Sequence, residues 1–347
     1  MPKDKTYLLT INGGSSSIKF TLYNVTESLT PILFGKLTGL GLPVAKLCVT
    51  NSIQAEESTV DIKADNYQQA VEVLIDWVYK NRSSIKDVLT KDLSKPDVEA
   101  DITEVWVTID LAKDVIKNLR SWIAPKRVPS SLALPLSKSY VEYYPKGVCL
   151  MIAPWNYPFQ LCIVPLIYSI AAGNCCMIKP SESTPHTSKL VYSMIKELFN
   201  EGEVAVIEGD ANEAKMLLDK PFNHIFFTGS DSIGKKVVQA SSKYLSSVTL
   251  ELGGKSPVVI DSGYQLNKVV ERLVATKFIN LGQSCIAPDY IIIHNKDFDL
   301  FVDLLTKKIK SSYGDSFEEQ KSSNSLARIV NDNHFSRLVN MIDDKNC

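Results

Sequence analysis

From residue 148 onward, short runs of almost wholly apolar residues alternate with amphipathic stretches, and this alternation restricts the fold more than any other feature. Continuous apolar runs of strand length belong to strands buried on both faces, which require a parallel sheet with helices on either side. Strands are predicted at 148–153, 175–178, 204–207, 224–227, 248–250 and 257–260, with a later one at 290–294. Helices are clearest at 190–199, 234–242 and 298–308. The reading is an α/β, Rossmann-like chain. Upstream, Ile85, Val88, Leu89 and Leu93 form a short amphipathic helix before Pro96. Val98, Ile102, Val105, Ile109, Ala112, Ile116 and Leu119 then recur at steps of four and three, predicting one long helix with a single buried seam. Near the start, Leu8–Ile11 and the alternating Ile18, Phe20 and Leu22 flank a Gly/Ser turn and predict a hairpin. A helix over 67–81 follows, with Ala70, Leu74, Trp77 and Val78 on one face.

A length of 347 residues gives room for two or three domains. With 38 Lys+Arg against 39 Asp+Glu, nothing pulls the chain toward nucleic acid or an anionic membrane, so small molecules are the expected partners. Seven cysteines with no CxxC pair, and only four histidines, lack the spacing of a zinc site, and no metal is expected. The polar Met1–Thr6 and the short apolar run at 7–11 do not make a secretory signal, and no run is long enough to span a bilayer. These features predict a soluble, cytoplasmic protein whose thiols are mostly buried small hydrophobes.

Three polar residues fall where α/β folds assemble their sites. Cys285 follows the Gly282-Gln283 turn, where substrate could reach a thiol; used as a nucleophile it needs a neighbour that promotes the thiolate. Read alone, it would more often be a structural cysteine. Glu251 directly follows a predicted strand and precedes two glycines, a position for a general base or a merely solvated acid. Asn156, within Pro154-Trp155-Asn156-Tyr157-Pro158, could offer its amide to a developing oxyanion or could be an ordinary turn residue. A glycine pair, Gly229 and Gly234, brackets a strand-to-helix turn that would admit a pyrophosphate. The spacing nearly fits a P-loop, but Lys236 stands where that motif needs Ser or Thr.

Taken in order, Asn156, Lys179 and Glu182, the segment Phe226 to Ser230, Glu251 and Cys285 resemble NAD(P)-dependent aldehyde dehydrogenases, in wording closest to the class 3, fatty-aldehyde-type branch. The resemblance covers about residues 82–347. It implies a dinucleotide-binding domain at 82–252 and an incomplete catalytic domain at 253–347. It also implies that Cys285 attacks an aldehyde, giving a thiohemiacetal and then a thioester. Asn156 and the Cys285 backbone N–H would hold the oxyanion, and Glu251 would activate water. Partial desolvation would suit Glu251 to that task. The cofactor would be NAD, with NADP possible, held by Trp155, Lys179, Glu182, Gly229, Ser230, Gly234, Leu252 and Gly253. Glu182 would disfavour a 2′-phosphate. The resemblance further implies that the chain stops before the Glu-x-Phe motif and the oligomerisation arm of a family that is usually homodimeric. On that reading, activity depends on parts lying beyond Cys347.

Residues 5–81 carry a different resemblance. Asn12-Gly13-Gly14-Ser15-Ser16-Ser17 and its flanks resemble the phosphate-facing hairpin that opens acetate kinase, implying an actin-like-ATPase-type fragment over 1–81. Asn12, Ser15 and Ser17 would be its vestigial phosphate contacts. Two competing functions follow: a non-enzymatic fusion or remnant that binds nucleotide at most, and an acetate kinase-type phosphotransferase.

Overall fold

A computed structural model describes the backbone of residues 7–14, 17–24, 30–38, 44–51, 56–63, 65–130, 133 and 137–342, with side chains from residue 68 onward. Ser15 and the chain end at 343–347 lie outside the described residues.

The N-terminal hairpin is present as β1 (Tyr7–Gly14) and β2 (Ser17–Asn24), with Asn12 opposite Lys19 and Gly14 opposite Ser17. It is the start of a larger antiparallel meander through β3 (Thr30–Thr38), β4 (Val44–Asn51) and β5 (Glu56–Lys63). Helix α1 (Asp65–Lys80) and α2 (Arg82–Leu93) follow, close to their predicted spans.

Residues 97–123 run as one helix in three parts: α3 (Asp97–Ala100), a π turn at Asp101–Val105, and α4 (Trp106–Ile123). The predicted seam holds only from Val105 on, since Val98 and Ile102 are 71% and 51% exposed. The physical reason is the π turn. One extra residue per turn rotates the upstream face, so Ala100 and Glu104 point inward where Val98 and Ile102 would have been. A short ribbon of β6 (Lys126–Val128) and β7 (Ser139–Val141) then leads into the sheet.

The alternating pattern becomes β8 (Val148–Ile152), α5 (Gln160–Ala171), β9 (Cys175–Lys179), α6 (Pro185–Leu198), β10 (Val204–Val206), α7 (Ala211–Leu218), β11 (His224–Thr228), α8 (Asp231–Ser241) and β12 (Ser247–Glu251). The five strands form one all-parallel sheet in the order β10-β9-β8-β11-β12. One face is covered by α5 and α6, with α1, α2 and α4 behind them; α8 packs against β11 and β12 on the other. Strand order reverses between β8 and β11, and at such a switch point the carboxyl ends of the strands open a ligand crevice.

The apolar run at 257–260 leaves this sheet. It is β13 (Ser256–Ile260), which after α9 (Leu266–Lys277) pairs in parallel with β14 (Pro288–Ile293). With α10 (Asn295–Tyr313) these elements bury Ile260, Val270, Leu273, Val274 and Phe301 in a core of their own. Two short helices, α11 (Phe317–Ser322) and α12 (Asp332–Val339), follow. Among the described residues no helix is long and apolar enough to cross a membrane. Cys149, Cys162 and Cys176 are buried free thiols, whereas Cys175 and Cys285 are exposed.

The break in sequence character at residue 81 is not a break in packing. Val71, Leu74, Trp77 and Val78 of α1 share one core with Ile109, Phe159, Ile163 and Ile178, and the Trp77 indole N–H donates to Glu197 of α6 at 3.0 Å. Truncating a fully buried leucine leaves a cavity that costs about 2–5 kcal/mol. Leu74→Ala and Ile163→Ala are therefore both expected to lower the urea midpoint of the whole parallel-sheet unit. A variant whose unit melts like the parent would show that α1 is a separate appendage.

Candidate active site

Two loops meet at the crevice. The first runs from the carboxyl end of β8 through Trp155, Asn156 and Tyr157 to α5; the second carries Cys285 between α9 and β14. Asn280, Leu281 and Gly282 all have positive φ (51°, 51° and 76°), so the second loop turns through three successive left-handed residues. Asn and Gly accept that conformation; at Leu281 it stores strain of about 1 kcal/mol or more.

Hydrogen bonds hold the turn in place. The Asn280 amide donates to the carbonyls of Asn156 (2.8 Å) and Gln283 (3.2 Å), while the Asn280 backbone N–H donates to Glu99 at 2.9 Å. Gln283 clamps the other side. Its amide donates to Asn280 O at 3.0 Å and Arg328 O at 2.9 Å, and its Oε1 accepts the Val330 N–H at 3.1 Å. The Asn156 side-chain amide reaches the same loop, donating to Gln283 O at 3.0 Å. Asn156 Oδ1 and Asn280 Oδ1 are buried and accept no hydrogen bond from the described residues.

Cys285 itself is exposed, and among the described residues no protein acceptor takes its backbone N–H. Its carbonyl lies so close to Gly254 that a Cβ there would collide with it, which brings the Glu251–Gly254 segment onto the nucleophile loop. The Glu251 carbonyl accepts the Gly229 N–H at 3.0 Å, tying that segment also to the turn after β11. Glu251 is exposed, so the expected desolvation of its carboxylate is not supplied by the described residues. The segments carrying the three candidate catalytic residues are thus tied to one another, and Cys285 and Glu251 are exposed.

Beneath Asn156 lies a buried ion pair. Lys95 and Glu104 have fully buried side chains, with Nζ and Oε1 2.6 Å apart. Lys95 Nζ also donates to the Asn156 carbonyl at 3.2 Å and sits 4.4 Å from the centre of the Tyr157 ring. Glu104 Oε2 accepts the Gln160 N–H at 2.8 Å, at an α5 N-terminus that no side chain of its own caps. Burial pushes the Glu104 carboxyl upward, opposed by Lys95 and by backbone N–H groups of Gln160 and Phe159. Burial also raises the Tyr157 phenol to about 12, although its hydrogen bond to Ser284 works against the shift.

On the neighbouring strand, Lys179 is 2% exposed at the end of β9, donating to Pro180 O at 2.9 Å and Glu182 at 2.7 Å. Gly229 follows β11, where a Cβ would strike the Phe227 ring. Gly234 is buried in α8, and a Cβ there would press on Leu252, so the glycine lets the helix lie tight against that strand end. Ser230 caps α8 without a side-chain bond to it, leaving first-turn N–H groups available to an anion. Gly253 is exposed and sterically unconstrained. The Trp155 ring rests 4.6 Å from that of His334. A dinucleotide fits this donor set: an uncapped helix N-terminus for a pyrophosphate, and Lys179 with Glu182 for a ribose.

Sequence patterns alone did not single out Lys95, Glu99, Glu104 or His334. Glu104 carries no local signal, since it stands beside the apolar seam in a stretch that also holds Glu99, Asp101 and Asp110.

The chain was compared with known proteins. The model of the aldehyde dehydrogenase family matches residues 43–346, beginning inside the segment read above as 1–81. The 4,4′-diaponeurosporen-aldehyde dehydrogenase of Staphylococcus aureus is 42% identical over 261 residues, 75% of this chain and 56% of that protein. The substrate-bound structure of Staphylococcus aureus AldH superposes with a TM-score of 0.76 at 40% identity, covering 80% of this chain and 60% of the other. PnpE in complex with nicotinamide adenine dinucleotide gives 0.70 at 25% identity, covering 80% and 56%. The chain spans between 53% and 63% of the length of the curated relatives it matches.

Gln283→Ala would strand the Arg328 carbonyl and the Val330 N–H beside the nucleophile loop, while the Asn280 carbonyl keeps the Gln283 backbone N–H, at up to about 1–3 kcal/mol for each group left unsatisfied. The expected result is lower stability in chemical denaturation together with faster hydrogen exchange at Val330. Unchanged exchange there would mean that the clamp does not hold the loop.

Proposed function

Because the chain belongs to the aldehyde dehydrogenase family, we propose that it oxidises an aldehyde to a carboxylic acid at Cys285, with NAD, or NADP, accepting the hydride. One observation carries the reading: the Asn156 amide and the untaken Cys285 backbone N–H lie on two loops bonded to each other, and the Glu251 segment packs against the second.

In the proposed reaction the Cys285 thiolate attacks the carbonyl carbon and a C–S bond forms. The resulting oxyanion accepts hydrogen bonds from the Cys285 N–H and the Asn156 amide, each worth about 3 kcal/mol in comparable sites. The bound nicotinamide would supply the hydride acceptor, held by Lys179, Glu182, the α8 N-terminus with Gly229, Ser230 and Gly234, and the Trp155, Leu252 and Gly253 surfaces. Cys285 is then left as a thioester. Glu251 takes a proton from water, whose oxygen attacks the thioester carbon; the C–S bond breaks, the acid leaves, and Cys285 departs as the thiolate that begins the next cycle, Glu251 giving its proton up to solvent. The exposure of Glu251 suits this step, because water must reach it. A carboxylate at Glu182 favours NAD, since it would repel a 2′-phosphate. Free cysteines and the absence of a spanning helix among the described residues support a cytoplasmic setting.

Cys285→Ser is expected to abolish both aldehyde-dependent NADH formation and acylation of the protein. Glu251→Gln should retain a burst of acylation while the steady state falls by about 10²–10⁴, the usual size of a general-base contribution. A folded parent that binds NAD yet shows neither burst nor turnover with any aldehyde points instead to a nucleotide-binding remnant. Acetyl phosphate formation that is lost in Asn12→Ala would favour the kinase-type reading.

A further inference from the structure

The buried Lys95–Glu104 pair lies outside the machinery described above, yet it grips the Asn156 loop at both ends. Lys95 Nζ holds the Asn156 carbonyl, and Glu104 Oε2 holds the first N–H of α5, four residues further on. The Lys95 ammonium also lies 4.4 Å from the centre of the Tyr157 ring, so a second residue of that loop rests on the pair. The π turn at Asp101–Val105 makes this possible, because it swings Glu104 off the exposed face and into the core. Stability alone does not account for such a pair. Apolar residues of similar volume often serve as well or better in a buried site, whereas a single lost partner is strongly destabilising. A fully desolvated pair aimed at the backbone of one loop is better explained by what that loop must hold.

We propose that Lys95 and Glu104 are positioning residues that fix the Asn156 amide where an oxyanion forms at Cys285. The inference rests on the active-site reading given above and deepens it. Neither residue touches the reacting atoms. Lys95 fixes the Asn156 backbone, Glu104 fixes the helix that the loop enters, and the two lock each other.

The test separates oxyanion stabilisation from simple thiol reactivity at Cys285. With 4-nitrophenyl acetate the thiolate adds to the ester carbonyl, the C–O bond breaks, 4-nitrophenolate leaves, and the transition state carries an oxyanion. With iodoacetamide the thiolate displaces iodide, and no oxyanion arises. Both are followed at Cys285 by peptide mass, in the full chain without cofactor. Lys95→Met/Glu104→Leu removes both charges of the pair together but takes the acceptor from the Gln160 N–H, so the variant should fold cooperatively with a modestly lowered thermal midpoint. Iodoacetamide labelling should keep its rate. Acylation should fall about tenfold or more, toward the rate of Asn156→Ala, as expected when a donor is displaced from its working position. Adding Asn156→Ala to the double variant should then cost little more, since both changes act through the same amide. Lys95→Met alone serves as a check on the charge left behind.

Parental acylation rates in the double variant would overturn the positioning role, as would acylation and alkylation falling in parallel, or full additivity with Asn156→Ala. A parent chain whose Cys285 is not acylated faster than the thiol of N-acetylcysteine, after both are scaled to iodoacetamide, overturns the active-site reading and this inference with it.

Discussion

The backbone carbonyl of Asn156 is the point on which the site depends. It accepts the Lys95 ammonium at 3.2 Å and the Asn280 amide at 2.8 Å, donors that are 61 and 124 residues away in sequence. A buried carbonyl must find a partner, and here its two lone pairs are shared between the first helical layer and the nucleophile loop. The loop after β8 cannot shift without breaking both. The nucleophile loop is fixed in turn through Asn280 and Gln283, which reach Glu99 on one side and Arg328 and Val330 on the other. Elements from three distant parts of the chain therefore set the geometry of one crevice.

Much of this was legible in the sequence, and the reasons differ between fold and site. The parallel strands announced themselves because central strands such as β8 are apolar on both faces, and their predicted spans agree with the observed ones to within one or two residues. The π turn was not legible. Val98 and Ile102 keep the heptad-like spacing perfectly well, and only the tertiary demand for Glu104 in the core rotates them outward. The departure of β13 from the main sheet was equally hidden, because an apolar strand carries no mark of which neighbour it will pair with. Helix α1 gives a third case. Its apolar face was read correctly, but a pattern of Leu74, Trp77 and Val78 cannot say whose core it enters.

At the site, the residues found in advance are those whose local setting carries information: a cysteine after a turn, a carboxylate at a strand end, glycines where backbone and helix approach closely. The structure ties the Asn156 loop to the nucleophile loop through Gln283, and the Glu251–Gly254 segment to both Cys285 and the turn at Gly229. The residues missed act at a distance. Lys95 is a lysine before a proline and Glu104 a glutamate within a helix, and each would ordinarily read as a solvated surface charge. Their meaning appears only when 95, 104, 156 and 160 are brought together.

The distribution of strain and satisfaction around Cys285 follows from what such a site must do. The left-handed Leu281, within a run of three residues of positive φ, is unfavourable in isolation. A loop with those features would relax if it were held only by apolar packing, which is non-directional. Directional bonds to Glu99, Gln283, Arg328 and the Lys95–Glu104 pair oppose that relaxation. The cost of desolvating Lys95 and Glu104 is thus met in the same region where strain must be contained. This accounts for a fully buried ion pair lying under Asn156, while the surface pairs such as Lys91–Asp87 and Lys307–Asp303 are exposed and interchangeable with solvent.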